Sequence, residues 1–316
     1  MEPALFVELA ALALLAGAPQ AAAQPQPAEP VAAPAPQQRV IDSEGPVARA
    51  DQWARACKDF DDWDKPAPPF KVYGNTFYVG TCGITVLFVV SQHGTVMIDT
   101  GTETGVWHVM RNVGRIGHDP TRIGLLLYSH EHFDHVGGMA AAQIYTMAPL
   151  LASPEAAEVF RTGKDDPRDP QAGLHDPMRP APHVIPIEPG RTVTFGGIAF
   201  TPIATPGHTP GALTWQWEAC EQDVCKTIVY ADSLSPVSRD DYRFTDHPDY
   251  VAAYRAGIAR LRALKCDILL TPHPSASDML TRARTGSMEG GMTCAAYADS
   301  KAKALDERLA KEAATK

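Results

Sequence analysis

From residue 76 onward the apolar positions fall into short runs with clear punctuation between them. Residues 76–79, 85–90 and 95–98 are rich in Val, Ile, Thr, Phe and Tyr, and Gly74-Asn75, Gly80 and Gln92-His93-Gly94 separate them. β-Branched and aromatic residues suit a pleated surface, and Gly-rich breaks turn the chain, so the pattern predicts three strands. The period then changes. Val106, Val109, Met110 and Val113 recur at helical spacing and predict a helix over 104–116. Residues 123–128 form a continuous apolar run, which suits a strand covered on both faces. The second half repeats the theme. It predicts two strands around Gly196-Gly197 within 193–204, a hairpin of 212–217 with 226–231, a helix over 247–264, a short buried strand at 267–270 and a charged amphipathic helix at 295–311. No repeat of fixed period is present. Strand-rich halves that each lead into helices predict an α/β fold of sheets sandwiched between helices.

The chain ahead of this block reads differently. Residues 4–17 are almost entirely Ala, Leu, Val and Phe, broken by Glu8, and Ala21-Ala22-Ala23 follows. An apolar stretch too short for a bilayer-spanning helix, ending in small residues, predicts an export signal over 1–23 with cleavage near Ala23-Gln24. Met1-Glu2-Pro3 lacks the Lys or Arg such signals carry, and the alternative is an Ala-rich tail. Residues 24–38 are Pro, Ala and Gln with one Glu and one Val, which cannot pack a core, so 24–50 is expected to be a linker and 51–316 one folded domain. A chain of 316 residues, 45% hydrophobic, can bury a large core as a single domain. Its net charge of −9 provides no basic field for phosphate backbones, so no nucleic-acid partner is expected.

Six cysteines agree with export to an oxidising compartment, periplasmic or secreted. Cys220 and Cys225 flank the expected hairpin tip, residues 221–224, where a bridge would staple two antiparallel strands. Cys57 with Cys82, and Cys266 with Cys294, would complete a sequential pattern. Free buried thiols are the alternative.

The decisive segment is Ser129-His130-Glu131-His132-Phe133-Asp134-His135-Val136-Gly137-Gly138, directly after the apolar run. Three histidines and two acids within six positions are poorly explained by packing, because polar groups buried at a strand end cost free energy unless partnered. A metal explains them: imidazole and carboxylate are ligands that zinc takes at ~2.0–2.2 Å. On an extended strand end, residues two positions apart point the same way, so His130 and His132 can share one metal, while Asp134 and His135 diverge toward a second. Each site still lacks a ligand. His208, in Thr205-Pro206-Gly207-His208-Thr209-Pro210-Gly211, and His273, in Thr271-Pro272-His273-Pro274, both follow strands and fit that need.

His-x-His-x-Asp-His, then Pro-Gly-His, then Pro-His-Pro resembles the metallo-β-lactamase superfamily. The likeness to its subclass B3 β-lactamases runs over nearly the whole mature chain, through Lys71-Val72-Tyr73-Gly74-Asn75-Thr76, Tyr78-Val79-Gly80-Thr81-Cys82-Gly83, Ala231-Asp232-Ser233-Leu234-Ser235 and Thr271-Pro272-His273-Pro274-Ser275. Cysteines placed for sequential pairing also resemble certain B3 enzymes. The resemblance implies a four-layer αββα sandwich with the site at one edge of the sheets. It implies two Zn2+ per chain, one on His130, His132 and His208 and the other on Asp134, His135 and His273. Other lactamase subclasses use a cysteine ligand where this chain has Ser233, and a serine there is the B3 pattern.

The implied activity is zinc-dependent hydrolysis of the β-lactam amide of penicillins, cephalosporins and carbapenems by a zinc-bound hydroxide, conferring antibiotic resistance. Asp134 is then both ligand and the catalytic group that orients the nucleophile. Ser233 and Ser235 are candidate contacts for the substrate carboxylate, against the alternative of a capped turn. Asp99, ending the run 96–98, is a candidate to orient a histidine ligand. Trp215 and Trp217 alternate on one strand and are expected to pack in the core. His93, His108, His118, His175, His183 and His247 are read as surface or loop residues. Loops 160–185 and 235–247 are expected to line the pocket, and a monomer without membrane contact in its mature form is expected. Two rivals stand beside this reading. One is a glyoxalase II-like thioesterase or lactonase of the same fold, in which Asp232 would bridge both metals. The other is a non-catalytic periplasmic zinc-binding protein, which would saturate the metal with four protein ligands.

Overall fold

The apolar runs assemble into two sheets. The computed structural model describes residues 47–58 and 62–315; the expected signal peptide and the expected linker up to residue 46 lie outside the described residues. The first sheet takes its strands in chain order: β1 (Phe70–Tyr73), β2 (Thr76–Tyr78), β3 (Leu87–Ser91), β4 (Gly94–Ile98), β5 (Leu125–Leu127), β6 (Leu150–Ala152) and β7 (Val184–Pro186). Pairing is antiparallel through β4 and parallel from β4 to β7. The second sheet contains β8 (Val193–Phe195), β9 (Ile198–Ala204), β10 (Leu213–Glu221), β11 (Val224–Tyr230) and β12 (Ile268–Leu270) in the order β12-β11-β10-β9-β8, antiparallel except for β11 with β12.

Parallel neighbours need crossovers, and the helices supply them. The helices are α1 (Ala50–Ala56), α2 (Gly105–Arg115), α3 (Phe133–Val136), α4 (Met139–Thr146), α5 (Pro154–Thr162), α6 (Pro248–Arg262), α7 (Met279–Arg284) and α8 (Cys294–Ala314). α2 connects β4 to β5, α3 and α4 connect β5 to β6, and α5 connects β6 to β7. Strand alternation then sorts the layers. On β11, Ile228 and Tyr230 join the core between the sheets, with Trp215, Trp217 and Phe88. Val229 and Ala231 face outward onto Tyr254, Ile258 and Leu261 of α6 and Tyr297 and Leu305 of α8. Both β10 tryptophans are buried as expected, and their indole N–H groups stitch the sheets together: Trp215 Nε1 donates to Tyr128 O at 2.7 Å and Trp217 Nε1 to Thr76 Oγ1 at 3.1 Å. The architecture is the αββα sandwich.

Several elements depart from the hydrophobic pattern. The strand expected at 85–90 begins only at Leu87. Thr85 leaves the ladder to bridge the sheets: its N–H donates to Pro272 O (2.7 Å) and its carbonyl accepts from Tyr230 OH (3.0 Å). The pattern misses β1, β6, β7, α5 and α7, which are three to nine residues long and lack a readable period. At the front of the domain, Ala48 already bridges Phe70 and Ala50 is buried, so packing reaches slightly ahead of residue 51. Cys57–Cys82, Cys220–Cys225 and Cys266–Cys294 are bonded, and no cysteine among the described residues is free. Cys220 and Cys225 are direct partners across a hairpin whose tip is Gln222-Asp223, shorter than the expected 221–224.

Candidate metal centre

The site is built where β4 and β5 end side by side. Asp99, just past β4, has φ +65°, a left-handed conformation that aspartate tolerates. This directs its buried carboxylate at the chain leaving β5. Oδ1 accepts from Ser129 N (2.6 Å), and Oδ2 accepts from Ser129 Oγ (2.7 Å) and from Tyr230 OH (2.6 Å) of the second sheet. Burial pushes the Asp99 carboxyl up to about 7, partly offset by these hydrogen bonds. Asp99, a candidate to orient a histidine ligand, has its Oδ2 3.8 Å from His135 Nδ1. It also reaches a histidine through Ser129, whose Oγ lies 3.2 Å from His130 Nδ1. The carbonyl of His135 accepts from Thr100 N (2.9 Å) and Gly101 N (3.0 Å), which fixes the short α3 against the same strand end.

The six expected ligands converge. Donor atoms of His130, His132 and His208 lie within 4.8 Å of one another, as do those of His130, Asp134 and His135. His132 Nδ1 stands 3.2 Å from His208 Nε2. Around the other group, His135 Nε2 is 3.2 Å from His273 Nε2, and Asp134 Oδ2 is 3.0 Å and 3.3 Å from those two nitrogens. Two nitrogen ligands on a tetrahedral zinc at ~2.0–2.1 Å stand roughly 3.3 Å apart, so these spacings match a shared cation. The buried His130 Nε2 has no hydrogen-bond partner, an orphaned acceptor of the kind a metal satisfies. The donor set therefore fits zinc.

The opposite ring nitrogens strengthen that fit. His130 Nδ1 lies 3.2 Å from Ser129 Oγ, His132 Nε2 2.9 Å from Asp169 Oδ2, His208 Nδ1 2.9 Å from Ser235 O, and His273 Nδ1 3.2 Å from Gly83 O. An oxygen at the outer nitrogen holds the proton there and leaves the inner nitrogen free to ligate. Burial, reinforced by neighbouring imidazoles, holds His130 and His208 well below the usual histidine range, and burial also lowers His135. Burial alone would lower His132 too, but Asp169 with Asp134 and Glu131 outweighs it and raises His132 to about 9. For Asp134, burial is outweighed by His135, His273 and His130, which keep the carboxyl ionised.

Two supports have no readable sequence signal. Asp169 comes from the loop after α5 and is buried against His132. Glu131, inside the motif but given no role by its spacing, accepts from Thr209 Oγ1 (2.6 Å) and Gly211 N (2.7 Å), so it ties the His208 loop to the His130 loop. The His208 turn requires its glycine: Gly207 has φ +152°, and a Cβ there would meet the Tyr254 ring at 2.2 Å. Asp232 is buried behind His130. Its Oδ1 lies 3.1 Å from the outer nitrogen of that ring and its Oδ2 accepts from Leu234 N (3.0 Å). Ser233 is buried with its carbonyl on Tyr297 OH, and Ser235 packs against His208 through its own carbonyl. Phe133, one position from Asp134, has ring neighbours in Trp63 (5.4 Å between ring centres) and His175 (4.1 Å), the latter an exposed loop residue as expected.

Comparison with known proteins agrees with this geometry. The family model for the metallo-beta-lactamase superfamily matches residues 79–273. The chain is similar to the structure of the MIM-2 metallo-beta-lactamase, 48% identical, with 84% of this chain and 99% of that chain covered and a TM-score of 0.78. It is also similar to MEM-A1, a subclass B3 metallo-beta-lactamase from a soil metagenome library, at 34% identity, 81% of this chain, 100% of that one and a TM-score of 0.77. Among curated proteins, the uncharacterized protein YobT of Bacillus subtilis (strain 168) is 25% identical over 150 residues, 46% of this chain, and the match spans 61% of its length. With that sandwich, two clusters of potential metal ligands and these relatives, the chain belongs to the metallo-β-lactamase superfamily, subclass B3, as a hydrolytic enzyme of the zinc-dependent kind this fold supports.

Proposed function

We propose that this protein hydrolyses the amide bond of β-lactam rings, using two zinc ions held by His130, His132 and His208 and by Asp134, His135 and His273. The observation that carries the reading is the pair of three-donor groups, each ring nitrogen outside them but that of His135 beside an oxygen. Three protein donors leave a coordination position open for chemistry, whereas a purely structural site takes four. Relatives named as metallo-β-lactamases, 48% and 34% identical over nearly their full lengths, supply the substrate class. The position of Asp232 behind His130 argues against the bridging role that a thioesterase-like relative would need.

Zinc bound here supplies Lewis-acid polarisation of the lactam carbonyl and a water acidic enough to ionise near neutral pH. The chain's own residues do the rest. Asp134, kept ionised, orients the attacking water by accepting its hydrogen bond. Ser233 and Ser235 offer hydroxyl donors to the substrate carboxylate, and the rim of Trp63, Phe133 and His175 covers the apolar part of the ligand. We further propose that residues 1–23 direct export and that the enzyme works in the periplasm or outside the cell, a compartment suited to its three disulfides.

The test is loss of ring absorbance for a carbapenem and a cephalosporin with zinc and with a chelator. Zinc-dependent loss, absent in His130→Ala and Asp134→Ala, supports the reading. No loss from a protein that binds two zincs and cleaves thioesters or lactones instead would keep the metal centre and overturn the substrate.

A further inference from the structure

α8 lies behind the turn formed by residues 232–235, and two of its side chains hold that turn. Tyr297 OH donates to Ser233 O at 2.8 Å and to Asp232 O at 3.2 Å. Four residues further along the same helix face, Lys301 Nζ donates to Ser235 Oγ at 2.9 Å, and the ammonium sits 4.8 Å from the centre of the Tyr297 ring. Lys301 is partly buried, and no carboxylate among the described residues stands within ion-pair distance of it. Burial pushes its ammonium down to about 8, with the Asp232 carboxylate offsetting part of that shift. A half-buried cation without a close counter-ion is costly, and an anion placed beyond the hydroxyl it contacts would relieve that cost.

Ser235 is the link between this cation and the metal centre. Its carbonyl accepts from His208 Nδ1 at 2.9 Å, so the residue is fixed at the edge of the first donor group. Its hydroxyl oxygen is already an acceptor for Lys301. The hydroxyl hydrogen has one acceptor in reach, Ser233 O, at a long 3.3 Å, and that carbonyl is already served by Tyr297 at 2.8 Å. The hydrogen can therefore turn to a better acceptor at little cost. An ammonium on the oxygen also polarises the O–H bond and strengthens its donation.

We propose that Lys301 is a positioning residue of an anion subsite: it fixes Ser235 Oγ as an acceptor and so commits the Ser235 hydroxyl hydrogen to a carboxylate on the substrate. The identity of that carboxylate as the one borne by a β-lactam rests on the function proposed above. The division of labour is specific. Ser235 touches the ligand, Lys301 acts through Ser235, and Tyr297 holds the backbone on which both depend.

The test uses the zinc-loaded enzyme and four variants: Lys301→Met, Lys301→Arg, Ser235→Ala and the double variant Ser235→Ala/Lys301→Met. KM and kcat are measured for a carbapenem and for the methyl ester of its carboxylate. Lys301→Met is expected to raise KM for the acid on the order of tenfold while kcat stays within about twofold and KM for the ester is unchanged. Lys301→Arg keeps the donor and is expected to restore KM. Ser235→Ala, which leaves α8 intact, is expected to raise KM as Lys301→Met does, and the double variant to lose little more than either single change. Equal losses on acid and ester, unchanged KM for the acid in Lys301→Met, or fully additive losses in the double variant would overturn the proposal. If the wild-type enzyme opens no lactam, the function reading has failed and calorimetry with the ring-opened acid decides the subsite. Binding about tenfold weaker in Lys301→Met than in wild type sustains it, and equal binding overturns it.

Discussion

Asp169 Oδ2 stands 2.9 Å from His132 Nε2, and the other oxygen of the same carboxylate accepts from Gln171 N at 2.7 Å. One buried acid thus fixes both its own loop and the ring of a proposed zinc ligand. Replacing Asp169 with Asn removes the charge and is expected to weaken zinc at the first site by about 10–100-fold. Competition against a chromogenic zinc chelator measures this, and retention of wild-type affinity would remove Asp169 from the site.

Gly207 occupies φ +152° with no room for a Cβ against Tyr254. Gly207→Ala must move either the helix α6 ring or the turn that presents His208. The expected cost is about 1–3 kcal/mol of stability, accompanied by weaker zinc binding. Chemical denaturation and zinc stoichiometry read the two effects; a variant unchanged in both would show that the turn adapts.

The Cys57–Cys82 bridge closes a loop with a sequence separation of 25 and leads straight into Gly83, whose carbonyl accepts from His273 Nδ1. The double change Cys57→Ser/Cys82→Ser is expected to cost about 3 kcal/mol by relaxing the unfolded chain's constraint and to loosen the second zinc in particular. Thermal melts with zinc analysis test this, and equal loss of both zincs would mean that the effect is global. In the oxidised wild-type protein, alkylating reagents are expected to find no free thiol.

His118 is half-buried with its ring 5.3 Å from that of Phe88, and burial lowers its pKa below the usual histidine value of 6.5. The fold therefore favours the neutral imidazole. Because the folded value lies below the unfolded one, the stability it contributes is present above 6.5 and is lost as pH falls through the depressed folded value. His118→Gln, which cannot charge, is expected to lose less stability than wild type between about pH 7.5 and about pH 5. Denaturant midpoints at the two pH values decide it; parallel losses would exclude His118 as a source of acid sensitivity.

Much of this protein is readable along the chain because the relevant groups are close in sequence. His130, His132, Asp134 and His135 lie on one strand end and the short helix after it, and Pro206-Gly207-His208 and Pro272-His273-Pro274 announce themselves as rigid turns past strands. Cys220 and Cys225 are legible for the same reason, since a hairpin makes them cross-strand partners. The unreadable parts depend on distant partners. Asp169 is 37 residues from His132 and Lys301 is 66 from Ser235, and neither position differs from its neighbours in any periodic or compositional way. The edge strand β7 is partly exposed and only three residues long, so it presents no alternation to read.

The sequence by itself determined which donors exist, their local spacing, and the alternation that buries one face of each strand, because these follow from chain geometry over a few residues. Tertiary structure alone decided which oxygen holds the outer nitrogen of His132, His208 and His273. It brought Asp232 Oδ1 to 3.1 Å from His130 Nδ1, and it tied the Asp99 carboxylate to Ser129 with His135 Nδ1 3.8 Å away. The physical reason is that a side chain's partner is chosen by which sheet, loop or helix packs against it, and that packing brings together residues whose separation along the chain carries no trace of their meeting.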